Sequence, residues 1–226
     1  GSEMCIRDSK KVILHRPGDE LLSLTPNTLE ELLFDDIPFL PVAQEEHDAF
    51  ANILREAGSE VLYMEELLAE AMDANPVARA AFLDEYMAQA PIPDPALVPL
   101  VREKLDAIEG NRELVAKALA GMRLHELDLA SGPRTLSRLE GDGLAPDDFV
   151  VYSMPSSYFS RDPIASIGTG VALHRMYYNQ RNREVPFYKT FLTYHPDFAG
   201  TPFWYDNHSA AHIEGGDVLN LSLIHI

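Results

Sequence analysis

The chain has a single cysteine, Cys5, among its 226 residues. No disulfide can form within it, so the framework of a small secreted domain is excluded, and a cytoplasmic setting is the expectation. No apolar run reaches the length that spans a bilayer. The N-terminus lacks a charged segment followed by an apolar stretch, so no secretory signal is read there. Basic residues are scarce: 18 Lys and Arg stand against 36 Asp and Glu, a net charge of −18. That balance argues against nucleic acid and anionic membranes as partners. A metal site is also under-supplied. His208 and His212 stand four apart near Asp206 and Glu214, but no HExxH pattern or second cysteine completes a ligand set. No metal is expected there.

What remains is enough for one or two domains with a sizeable core. Hydrophobic residues make up 46% and charged residues 24%, a balance that suits a soluble globular chain. The acidity is uneven. Residues 1–59 hold 12 acidic and 5 basic residues, residues 60–148 hold 18 and 8, and residues 149–226 hold 6 and 5. The excess therefore lies outside the last third, and it reads as solvated surface.

Hydrophobic period divides the chain into three textures. Residues 11–15 are a short apolar run closed by Pro17-Gly18, which predicts a strand. A short helix is expected over 29–34, loop or edge over 37–42, a helix over 44–57 and a strand over 60–64. Residues 65–140 turn Ala/Leu/Glu-rich. Helical stretches at 65–72, 76–88, 96–108 and 112–122 predict a small bundle with short connections. Strand texture returns at 149–152, at 166–173 with Gly168 and Gly170 marking a turn or bulge, at 202–205 and at 218–221, with a helix over 181–195. The fold class is α/β, with a first α/β unit at 10–64, a helical insert at 65–140 and a second α/β unit at 141–220. Residues 4–9 and 221–226 have no structural logic and resemble translated adapter sequence, and Gly1-Ser2 resembles a cloning scar. The expectation is that 1–9 and 221–226 are non-native tails and that the natural chain continues past about Asn220.

Two acidic motifs carry the chemistry. One is Phe159-Ser160-Arg161-Asp162-Pro163 and the other is His212-Ile213-Glu214-Gly215-Gly216-Asp217. Each sets a carboxylate at the edge of a predicted strand, beside residues that turn the chain. Two carboxylates converging on one pocket suit a flat cation with several N–H donors, and a guanidinium is such a ligand. Plainer roles fit the same residues. Asp162 would serve as a helix cap or as a partner for Arg161, Glu214 as an exposed loop acid, Arg181 as an exposed arginine at a helix start, and Phe159 as core. His15 and His47 read as structural, and so does Asp217.

With their flanks, these motifs resemble the arginine deiminase family of guanidino-group-modifying enzymes. Supporting segments are Val12-Ile13-Leu14-His15-Arg16-Pro17-Gly18, Leu32-Leu33-Phe34-Asp35-Asp36-Ile37-Pro38 and Glu46-His47-Asp48-Ala49-Phe50. The resemblance covers roughly residues 10–220. It implies a five-bladed α/β propeller of ββαβ units, the pentein type, with a helical bundle inserted after the first unit. This chain would be a partial propeller. The implied reaction hydrolyses L-arginine to L-citrulline and ammonia, with no metal or cofactor. Asp162 and Glu214 would be catalytic. Phe159, Arg181 and Ser156 would bind substrate, Arg181 as the clamp on its α-carboxylate. Ser156 departs from the pattern, since the family reads Met-Pro-Asn where this chain reads Met154-Pro155-Ser156. The reaction also needs a cysteine thiolate near the C-terminus and a His-x-Asp pair upstream of it, and the expectation is that neither occurs in this chain. As written, the chain is expected not to deiminate arginine. Unpaired strand edges would favour self-association into a homo-oligomer. Another guanidino enzyme, such as an amidinotransferase, or a non-catalytic binding subunit would share the same motifs.

Overall fold

The structure is a computed structural model, and it describes residues 10–128 and 144–219. Cys5, the tails at 1–9 and 221–226, and Leu221 of the last expected strand lie outside the described residues. In chain order the elements are β1 (Lys11–Leu14), α1 (Leu29–Leu32), α2 (Leu40–Glu56), β2 (Glu60–Tyr63), α3 (Met64–Ala74), α4 (Pro76–Gln89), α5 (Val98–Asp106), α6 (Asn111–Ala120), β3 (Met122–Arg123), β4 (Phe149–Val151), β5 (Ile164–Ile167), β6 (Gly170–Leu173), α7 (Val185–Tyr194) and β7 (Phe203–Tyr205). Short 3-10 helices fall at Asp19–Ser23, Pro95–Leu97, Leu124–Glu126, Pro155–Tyr158, Asn179–Glu184 and Gly215–Asp217. This is a mixed α/β chain. Its strands form two two-stranded sheets and one three-stranded sheet, none closed among the described residues. Among those residues, no helix is long and apolar enough to cross a membrane.

Two compact units divide the chain: Gly1–Glu65 with Ala90–Tyr158, and Glu66–Gln89 with Phe159–Ile226. The helices of residues 65–140 are thus shared between the units. In the first unit β1 and β2 pair in parallel, from Lys11 opposite Glu60 to Leu14 opposite Tyr63. The intervening α2 buries Ala51 and Leu54 against Leu14, with Val12, Val61 and Tyr63 packed around them. A second cluster joins Leu21, Leu24 and Leu32 to Phe34, Leu40 and Tyr152. β3 and β4 pair antiparallel after α6. Gly121, between α6 and β3, takes φ +76, where a Cβ would come within 2.5 Å of backbone atoms of Ser153 and Val151. Only glycine fits such a conformation at such a distance.

The second unit is built on α4, α7 and the sheet β5-β6-β7. Phe82 of α4 meets Phe187 of α7 edge to face at 4.9 Å. β5 and β6 form an antiparallel hairpin, and β7 lies parallel to β6.

Several sequence expectations need correction. α2 starts at Leu40 inside the expected loop, because Pro41 falls in the first turn, where its missing N–H is not needed. The segment 166–173, expected as one strand with a turn or bulge at Gly168 and Gly170, is a hairpin, since Gly168 takes φ +59 and reverses the chain. The expected helix at 181–195 begins as the 3-10 turn Asn179–Glu184 and becomes α-helical at Val185, with Pro186 in its first turn. Val218 and Leu219 are not a strand. The Gly215–Asp217 turn places Val218 in a loop, where its carbonyl accepts from the Arg161 side chain.

Candidate functional site

The Asp162 and Glu214 turns both lie in the second unit. The Phe159 motif is a tight turn leading into β5. The Asp162 N–H donates to the Phe159 carbonyl at 3.0 Å. His174, directly after β6, fastens this turn. Its backbone N–H donates to the Pro163 carbonyl at 2.9 Å, and its Nδ1 lies 2.6 Å from the Asp162 carbonyl. A carbonyl only accepts, so Nδ1 carries the proton. Burial lowers the His174 pKa and keeps the ring neutral. Its Nε2 is buried with no hydrogen-bond partner.

The Asp162 side chain does not pair with Arg161. It accepts from Nη1 of Arg181 at 3.1 Å. The Nε and Nη2 of Arg181 donate to the two oxygens of Glu184 at 2.8 and 2.9 Å, a bidentate fork. The Glu184 side chain is only 2% exposed, Arg181 13% and Asp162 29%. Burial works against the Arg181 charge, but Glu184 and then Asp162 outweigh it and hold the guanidinium protonated far beyond neutral pH. Burial also pushes the Glu184 carboxyl upward, opposed by the same Arg181 donors. Arg181 and Glu184 sit three apart in one helical turn, and that spacing was legible in the sequence. Glu184 and His174 were not among the residues expected at the site.

The second acidic turn packs on the first. At Gly215 a Cβ would come within 2.5 Å of the Arg161 carbonyl, so the approach of the two turns depends on glycine there. Ile213 bridges to Arg175. The Glu214 carboxylate accepts from the Tyr177 N–H at 2.8 Å, and Asp217 closes the turn by accepting from the Glu214 N–H at 2.9 Å. Phe159 is 46% exposed. Ser156 lies in the other unit, buried in the 3-10 turn Pro155–Tyr158. The structure therefore brings Asp162 and Arg181 into direct contact and sets the Glu214 turn against the Asp162 turn.

The histidines are engaged elsewhere. His208 Nε2 meets Glu85 at 2.9 Å, and His212 Nδ1 meets the Met176 carbonyl at 3.0 Å. His195-Pro196-Asp197 does have His-x-Asp spacing, but its ring is used locally. Nε2 faces Glu70 at 3.1 Å, and Nδ1 accepts from the Asp197 N–H at 3.1 Å. In the first unit His15 is hydrogen-bonded and buried, as expected. His47 packs on Tyr63, and its Nε2 is buried without a hydrogen-bond partner.

Comparison with known proteins decides the family. Residues 30–224 match the family described as arginine deiminase. The chain belongs to the arginine deiminase family. Relatives named arginine deiminase from Streptococcus pyogenes, and from its serotypes M1 and M3, are each 48% identical over 216 residues. The match covers 94% of this chain and 52% of each relative, so the chain spans about half the length of the curated relatives it matches. The arginine deiminase match includes both acidic turns, Arg181, Glu184 and Ser156.

Proposed function

We propose that this chain is the guanidinium-binding part of an enzyme that hydrolyses L-arginine to L-citrulline and ammonia in the cytoplasm. The observation that carries this reading is Asp162, a partly open carboxylate in the family motif that already accepts a guanidinium N–H at 3.1 Å. In the proposed mechanism Asp162 and Glu214 grip and neutralise the substrate guanidinium. A thiolate supplied by the rest of the parent chain attacks the guanidinium carbon, a C–N bond breaks and ammonia leaves, and water then hydrolyses the C–S bond to give citrulline and return the thiolate. Phe159 packs along the substrate stem, Arg181 takes the α-carboxylate, and Ser156 stands where the family places an asparagine. No metal or cofactor takes part. The architecture proposed for the whole protein is an α/β propeller of ββαβ units, with 10–64 as one unit, 65–140 as the helical insert and 141–220 as a further unit.

The test joins residues 10–219 to the C-terminal half of a Streptococcus pyogenes relative and measures citrulline formed from L-arginine. Turnover is expected. Asp162→Ala should lower it about a thousandfold, because truncation leaves one side of a buried cation unpaired. Full turnover in Asp162→Ala with unchanged melting would remove that residue from the site. Transfer of the amidino group to an amine, without citrulline, would make the enzyme an amidinotransferase.

A further inference from the structure

Asp162 already holds the chemical group that it is proposed to receive. The Arg181 guanidinium is shared by two unequal carboxylates. Glu184 is nearly fully buried and takes two of its N–H donors in a fork. Asp162 is more exposed and takes one donor through Oδ2. A guanidinium has five N–H groups, so the two carboxylates use three of them. Of the two partners, Asp162 is the easier to exchange: one bond is lost there, near solvent, whereas two in-plane bonds would be lost at Glu184. If Nη1 leaves Asp162, Glu184 still neutralises Arg181, so no bare charge is stranded in the unit.

We propose that Arg181 is an internal guanidinium that occupies Asp162 when no ligand is bound, and that Glu184 is the positioning residue that allows the exchange. The inference rests on the reading of Asp162 as the substrate's guanidinium acceptor. An incoming guanidinium takes Asp162, and Arg181 pivots on its fork with Glu184. The released Nη1 becomes available to an anion. Discrimination follows from this exchange. A ligand that offers only a guanidinium must displace Arg181 without compensation. One that also carries a carboxylate gives the released N–H groups a new acceptor. The site therefore favours guanidino acids over simple guanidines.

The test titrates the purified 226-residue chain with methylguanidine, which has no carboxylate. Asp162→Asn should abolish binding. The pair Arg181→Met with Glu184→Gln removes the internal competitor without orphaning a buried carboxylate, and should tighten methylguanidine binding about tenfold, the order of one hydrogen bond to a charged group. Glu184→Gln alone leaves Arg181 leaning on Asp162, and should weaken binding about tenfold by the same reasoning. A fixed structural ion network would not move the two variants in opposite directions. A second readout needs no variant. Saturating wild-type chain with methylguanidine should free rotation of the Arg181 Nη1 group in 15N NMR while the Nε–H signal, held by Glu184, persists.

Binding that depends on Asp162 but is unchanged, or equally weakened, in both Arg181/Glu184 variants would overturn the exchange and leave the site reading standing. An Nη1 signal that stays hindered at saturation would do the same. Binding indifferent to Asp162→Asn, or no binding by any chain, would overturn the site reading and this inference with it.

Discussion

In the first unit the imidazole of His15 stands between Glu20 and Glu65, at 3.0 Å from each; in the second the guanidinium of Arg181 stands between Glu184 and Asp162. Both are cations shared by two carboxylates, and in both one carboxylate is almost fully buried. The difference lies in what each cation can give up. His15 has two ring nitrogens and both are used, so it has nothing left to offer a ligand, but it can lose its proton. Arg181 cannot lose its proton near neutral pH, but it keeps N–H groups in reserve and one partner near solvent. A closed, titratable cluster is a structural device whose strength follows pH. An open, permanently charged one can exchange a partner and keep its charge.

Removing one buried carboxylate from each cluster tests this difference most strongly. Glu184→Ala removes two of the three carboxylate hydrogen bonds of an arginine that cannot neutralise itself and leaves only the more exposed Asp162 to pair it, and should cost about 3–5 kcal/mol in denaturant unfolding. Arg181→Met combined with Glu184→Gln should cost much less, because the one charge that loses its partner is Asp162, which solvent reaches. Glu20→Ala should cost clearly less than Glu184→Ala, because His15 can respond by releasing its proton. Equal losses from the two alanine variants would mean that the kind of cation does not matter.

The next test is pH. Burial alone would depress His15, but its hydrogen bonds to Glu20 and Glu65 outweigh that and push its pKa up to about 9. The folded value lies above the unfolded one, about 6.5. The stabilisation is therefore fully present below about pH 6.5 and is lost as pH rises through about 9, a total of roughly 3 kcal/mol. Urea midpoints measured from pH 6 to pH 10 should fall over this window, and His15→Gln should flatten the fall. The Arg181 cluster adds no slope there, because its cation stays charged. An undiminished fall in His15→Gln would assign the titration to another group.

The two clusters also differ in how far they could be read from the chain. Asp162, Glu214 and Arg181 stood out through local motifs, and the strand–helix–strand order of residues 11–63 followed from period alone. The partner of Asp162 did not, since Arg181 lies 19 residues further on and the nearer Arg161 was the more obvious candidate. Glu65 is 50 residues from His15 and carries no mark of its role. Pairings across such distances depend on tertiary packing, which a single sequence does not record. The hairpin at Gly168 was half legible, for a different reason. A glycine reads alike as a bulge within a strand or as the turn between two, and only its φ decides. The early start of α2 was hidden by Pro41, which disrupts a helix interior but is tolerated in the first turn.

The smallest expected effect supplies the control. His195 in the second unit also faces a carboxylate, with its Nε2 3.1 Å from Glu70, but the Glu70 side chain is 57% exposed. Hydrogen-bond lengths are like those of the His15 cluster, so distance does not separate the two. Solvent does, because water and salt screen the exposed partner and solvate it when the pair opens. Glu70→Gln should therefore shift unfolding by less than about 1 kcal/mol. That shift should shrink further in high salt, where charges near the surface are screened. The buried Glu184 variant should keep its loss under the same salt. A loss above 2 kcal/mol in Glu70→Gln, or a Glu184→Ala loss that vanishes with salt, would show that burial is not what sets the strength of these pairs.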